Sequence, residues 1–375
     1  MDVQAIRSEF PITREYNFLD HAAVAPIPLR AVAAMQRYAE HASRFAYLDA
    51  GFYREADRIR GLAARLINAD PDEITFVKNT SEGISFVANG LHFSHGDNLV
   101  TTAVEFPANV YPWMALQAAG VRLKMVPEDN GRVPVERLCE AIDSRTRVVA
   151  VSAVQYASGF RTDLTELGRV CQDKGVLLAV DAIQALGCLP IDVRAMNIDF
   201  LSADGHKWLV GPEGAGLFFC RRELLGHLRP STIGWMSMKH HEDFGHYQFE
   251  FRDDARRFDS GAYNLAGILG LGASIEMILE IGVEKIWSRV REMTDRLVEA
   301  VRAKGYRVVS SRRPGEASGI VAFTSDRHDP ERIRQHLRAE YRTIIAVRQD
   351  RLRASPHFYN TMDEIEQLVR CLPGH

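Results

Sequence analysis

The chain has 375 residues, too many for one small core and suited to two domains. Hydrophobic residues make up 46% and charged residues 25%, ordinary values for a globular protein. The formal net charge of -3, without any basic stripe, argues against nucleic acid or an anionic membrane as the main partner.

The opening stretch, through Ile6-Arg7-Ser8-Glu9, lacks the apolar core of a signal peptide. No apolar run approaches the ~20 residues of a membrane span, so a cytoplasmic location is expected. Cys139, Cys171, Cys188, Cys220 and Cys371 are scattered, with no C-x-x-C pair, which speaks against a metal site or a disulfide framework.

From about Tyr16 to Cys220, short apolar runs alternate with amphipathic stretches. The runs predict strands at Ile74–Val77, Asn98–Thr101, Val121–Val126, Arg147–Ser152, Val176–Val180, Phe200–Ala203 and Gly216–Phe219. Several are rich in Val, Ile and Leu with little polar alternation, as in strands buried on both faces. Helices are expected at Thr80–Leu91, Pro134–Ile142 and Asp163–Lys174. The alternation predicts an α/β domain around a mostly parallel sheet. After Gly234 the character changes. Met236–Asp254 is polar, aromatic and weakly periodic, and reads as a long loop. Leu265–Leu279 reads as an apolar helix rich in small residues. A smaller α+β unit follows: a helix to about Lys304, strands near Val308 and at Ile320–Thr324, a helix at Pro330–Tyr341 and another from Thr361. The expected division is residues 16–262 for the large domain, and 263–375 with 1–15 for the small one.

Five segments carry chemistry-bearing residues. In Ser202-Ala203-Asp204-Gly205-His206-Lys207-Trp208, the lysine lies in a short link at the carboxyl end of a buried strand, where ligands of open α/β sheets bind. Desolvation there suits an amine that forms an imine. Taken alone, it is more often a surface lysine in a Gly-rich turn. Asp181 ends the run Val176-Leu177-Leu178-Ala179-Val180 at the same sheet edge. A carboxylate there can keep the pyridinium nitrogen of a pyridoxal cofactor protonated, and Gln184 is three residues on. A plain helix cap is the alternative. Phe76-Val77-Lys78-Asn79-Thr80-Ser81-Glu82-Gly83 runs from a strand into a helix, a phosphate-binding arrangement with Thr80 and Ser81 as donors, or simply a cap. Phe106, in Val104-Glu105-Phe106-Pro107, is either a ring that stacks on the cofactor or a core side chain. Arg353, near Arg348 and Arg351, suits recognition of a carboxylate, or solvation.

Together these segments resemble the class V aminotransferase family of pyridoxal-phosphate (PLP) enzymes, nearest to its cysteine desulfurase, selenocysteine lyase and isopenicillin N epimerase branch. The resemblance runs from Phe18-Leu19-Asp20-His21-Ala22-Ala23 to Tyr359-Asn360-Thr361. It implies the aspartate aminotransferase-like, PLP-dependent transferase fold, with a mostly parallel seven-stranded sheet in the large domain and a smaller C-terminal α+β domain. It also implies that Lys207 holds the cofactor as a Schiff base, Asp181 pairs with the ring nitrogen and Gln184 meets the ring oxygen. Thr80, Ser81, Ser202 and His206 would bind the phosphate, and Phe106 would stack on the ring. Arg353, Gln155, Arg348 and His21 would meet the substrate. A homodimer with sites at its interface is implied, with Arg257–Asn264 reaching the partner's phosphate.

Two departures matter. Between Arg348 and Arg353 stand only Gln349, Asp350, Arg351 and Leu352, with no catalytic cysteine of the desulfurase kind and no room for its loop. Ala262 stands where many relatives have a hydroxyl residue. His240, His241 and His246 lie in a polar stretch without matching ligands, so no metal is expected. The expected activity is therefore chemistry at the α-carbon of a small amino acid: transamination, or β-elimination of a C–S or C–Se bond, without a persulfide step. Epimerisation is the alternative. A catalytically weak binding partner is the alternative of another class.

Overall fold

The computed structural model describes residues 2–48 and 51–374. Met1, Asp49, Ala50 and His375, which fall within the two domain spans expected above, lie outside the described residues.

A seven-stranded sheet forms the centre. Its spatial order is Ile74–Val77, Gly216–Cys220, Phe200–Asp204, Leu177–Asp181, Thr146–Ser152, Asn98–Thr102 and Arg122–Val126. Six strands run parallel, and Gly216–Cys220 alone runs against its two neighbours. The inner strands are buried on both faces, which explains their unbroken Val, Ile, Leu and Phe runs. Every expected strand is present, with ends shifted by a residue or so. Parallel neighbours in this order need crossover helices, and Thr80–Gly90, Val135–Ala141 and Leu164–Lys174 supply three of them. Asn79 and Asp163 cap the first and last of these, each accepting from the N3 backbone N–H.

Helix Leu265–Ile281 packs against helices Leu29–Phe45 and Phe52–Ile67. Its small residues make the close approach possible: a Cβ at Gly272 would stand 2.4 Å from the Ile59 side chain. A second, antiparallel sheet has the order Ala346–Arg348, Arg351–Ala354, Val321–Thr324, Arg307–Val308. Gln349 and Asp350, with φ of 48° and 58°, make the two-residue turn between its first two strands. Near the N-terminus, Asn17–Phe18 pairs in parallel with Thr343–Ile344, and Asp20 bridges to Ser355. This tie carries the segment after Phe18 across to the antiparallel sheet. Met236–Asp254 is largely irregular, apart from the end of a short 3-10 turn at Trp235–Ser237 and an antiparallel bridge between Met238 and Phe251. Among the described residues no single helix is long and apolar enough to cross a membrane.

Candidate active site

A cavity of about 310 Å³ opens at the carboxyl ends of the parallel strands. Lys207, Asp181, Gln184, Thr80, Ser81, His206, Phe106, Arg348 and Arg353 all line it, although they come from segments spread over most of the chain. Parallel strands end on one edge, so residues just beyond them converge there.

Asp181 is 2% exposed and its Oδ1 accepts one hydrogen bond, from the Ile183 N–H at 3.0 Å. Burial pushes its carboxyl up to about 7. The Ile183 bond and Lys207 oppose that rise, and the Glu105 charge adds to it. Burial likewise pushes the Lys207 amine down to about 8, against the pull of Asp181. Such an amine is largely protonated at pH 7 yet gives up its proton far more readily than a solvated lysine. Its Nζ sits 5.4 Å from the centre of the Phe106 ring. That ring is half exposed into the cavity and meets Tyr156 edge-on. Gln184 is fixed from two sides: Nε2 donates to the Ala22 carbonyl at 2.9 Å, and Oε1 accepts from Trp208 Nε1 at 2.9 Å. One Nε2 proton remains for a ligand.

The first turn of Thr80–Gly90 faces the cavity through Thr80 and Ser81. Thr80 Oγ1 accepts from the Asp204 N–H at 3.1 Å, leaving its own proton to donate. Ser202 lies elsewhere. Its hydroxyl donates to the Thr80 carbonyl at 3.1 Å, and a Cβ at Gly83 would stand 2.3 Å from it. Ser202 therefore joins strand to helix underneath the cavity and does not line it. His206 does line it, with Nδ1 2.9 Å from Asp204 Oδ2.

Arg353 is 1% exposed. Its guanidinium donates to the Tyr156 carbonyl at 2.8 Å and to Asp20 Oδ1 at 3.1 Å. Burial pushes the Asp20 carboxyl up while Arg353 pulls it back. Arg348, half buried, donates to the Val347 carbonyl at 2.8 Å and completes a cationic wall.

Two residues expected at the substrate lie outside the cavity lining. His21 is fully buried, with Nδ1 2.8 Å from the Ser355 carbonyl and Nε2 2.6 Å from the Tyr359 hydroxyl. His21 opens the turn that follows Asp20, so Asp20 meets Arg353 while His21 faces the core. Gln155 is also buried, donating to Glu105 Oε1 at 2.8 Å. Asp20, Glu105 and Tyr156 are the site residues that sequence reasoning passed over. An acid a few residues past a buried strand was the available signal for Glu105. Of the three loop histidines, His241 bonds Arg252 and His246 sits by Asp243. Among the described residues no group of three metal-type ligands converges.

The aminotransferase class-V family model matches residues 17–368. A probable cysteine desulfurase of Methanothermobacter thermautotrophicus is 34% identical over 99% of this chain and 98% of its own. The apo structure of a cysteine desulfurase from Thermococcus onnurineus superposes with a TM-score of 0.89 at 26% identity, covering 98% of this chain and 96% of that one. A cystine C–S lyase shares the fold, with a TM-score of 0.88 at 23% identity over 96% of this chain and 98% of that one. The chain belongs to the class-V aminotransferase family, and it is an enzyme of the PLP-dependent kind. Its residues fit that cofactor. Asp181 has an oxygen left to accept from a ring N–H, the cavity floor holds a readily deprotonated lysine, and a capped helix N-terminus opens beside it.

Proposed function

We propose that this chain acts at the α-carbon of a small amino acid, as an aminotransferase or a β-eliminating C–S or C–Se lyase, without a persulfide on the protein. PLP, when bound, supplies the sink for electrons left at that carbon. Lys207 would hold the cofactor's aldehyde carbon and, once released, move the α-proton. Asp181 would keep the ring nitrogen protonated, and the spare Gln184 N–H would reach the ring oxygen. Thr80, Ser81, His206 and the first helical N–H groups would hold the phosphate. Phe106 would cover the ring face and exclude water. Arg353, with Arg348 beside it, would hold the substrate carboxylate, Asp20 keeping the guanidinium in place. We also take the chain to work as a homodimer, with residues 257–264 turned toward the partner's site.

One observation carries the absence of a persulfide step. The Gln349-Asp350 turn closes directly from Arg348 to Arg351, and none of the five cysteines lines the cavity. The test is to replace the cysteines one at a time and assay each variant with a panel of amino acids. Turnover should survive all five replacements, and no protein persulfide should form. Loss of turnover in one variant, with a persulfide trapped on the wild-type cysteine, would overturn the proposal. Keto-acid dependence measured in the same panel separates transamination from elimination.

A further inference from the structure

Behind the Phe106 ring lies a second buried acid that the chemistry above does not use. Glu105 is 7% exposed and sits between a parallel strand end and the 3-10 turn Pro107–Asn109. Its carboxylate meets donors on every side. The Ser152 N–H reaches Oε1 at 2.9 Å, Gln155 Nε2 at 2.8 Å and Thr102 Oγ1 at 3.2 Å. Oε2 takes the Ser152 hydroxyl and Asn109 Nδ2, the latter at 3.2 Å. The orientation of Asn109 is not free. Its oxygen accepts from Trp113 Nε1 at 3.0 Å, and an indole can only donate. The Asn109 amino group therefore must face Glu105. Among its described partners there is no lysine, arginine or histidine.

This is the geometry of a carboxylate held as an anion by dipoles instead of a counter-ion. Burial raises Glu105 above the ordinary carboxylate range, and the bonds from Ser152, Gln155 and Asn109 pull it only part of the way back. Its place matters for the cavity. Ser152, which holds it twice, stands directly opposite Asp181 across adjacent strands. The other charged groups around Asp181 are Lys207 beside it, with Asp204, His206, Arg348, Arg353 and Asp20 about the same cavity.

We propose that Glu105 is a positioning residue: a fixed buried anion that sets the charge balance opposite Asp181 and anchors the backbone carrying Phe106. It favours positive charge on whatever is held between Asp181 and Lys207, so removing its charge lowers the proton affinity there. The proposal rests on the reading that Lys207 holds PLP.

The experiment is a spectrophotometric pH titration of PLP-loaded protein, with cofactor content measured alongside. Wild type is compared with Glu105→Gln, which keeps shape and removes charge, and with Ser152→Ala, which removes one donor and leaves the acid. Glu105→Gln is expected to retain PLP and to shift the midpoint of the visible band down by about one pH unit, the scale of one nearby buried charge. Ser152→Ala raises the proton affinity of Glu105 itself, so that the acid is neutral over more of the pH range; it should shift the midpoint the same way by less, and it keeps the test open if Glu105→Gln fails to fold. Unmoved midpoints with normal cofactor content would overturn the proposal and leave Lys207 untouched. A wild-type protein that forms no borohydride-reducible band would remove the reading beneath it.

Discussion

Asp181→Asn should stabilise the cofactor-free protein, by an amount that grows with pH. The structure buries Asp181 with one hydrogen bond and pushes its carboxyl from 3.8 up to about 7. The folded state then holds a proton that the unfolded chain has already released. The sign follows: between the two values the unfolded state binds fewer protons, so wild-type stability falls as pH rises through about 7. At ~1.4 kcal/mol per unit, the cost is about 2 kcal/mol at roughly pH 5.5, and about 4 kcal/mol above roughly pH 7.5, where it stops growing. Asparagine keeps the size and the acceptor for the Ile183 N–H, and carries none of this cost. Urea unfolding of both PLP-free proteins at those two pH values reads the gap. The variant should unfold at higher urea at both, with the wider margin at the alkaline one. A variant no more stable than wild type at alkaline pH, or a margin that shrinks as pH rises, would refute the reasoning. The stabilised variant should also hold PLP less well, since the acid costs stability when empty and contributes when paired.

Arg353→Ala should raise KM for amino acids with little change in bound PLP. It should also lower stability by up to about 3 kcal/mol, because the partly buried Asp20 loses its paired cation. Loss of PLP instead would assign Arg353 to the cofactor. Gly83→Ala should cost about 1–3 kcal/mol in unfolding and weaken PLP binding, because the new methyl meets Ser202 and displaces the helix start. Unchanged PLP affinity would remove that helix from the phosphate site. Proton transfer assisted by Lys207 should fade on acidification, as its released amine takes up a proton, and a pH–rate profile with no acid limb would contradict its role.

The central sheet was legible because burial on both faces leaves an apolar signature that needs no partner to interpret. Val148 to Val151 is a clear case. Asp181 and Lys207 were legible for a related reason: a polar residue just past such a run falls on the functional edge. Helix Pro330–Tyr341 is present with the expected bounds, and its start is marked locally by Asp329 as cap and Pro330 in the first turn. Residues defined by distant partners were not legible. His21 owes its place to Ser355 and Tyr359, more than 300 positions away, and no local spacing shows that Asp20 and not His21 turns to Arg353. Ser202 looked like a phosphate ligand until Gly83 was seen packed on it. Helices Leu29–Phe45 and Phe52–Ile67 were not picked out either, although both are amphipathic at helical period and so were open to the same argument.

The most direct test of the central claim is borohydride reduction of the PLP-loaded protein followed by peptide mapping. The account predicts one pyridoxyl group per chain, on the peptide containing Lys207, and none after Lys207→Ala. Label on another lysine, or a variant that keeps a reducible band, would contradict it.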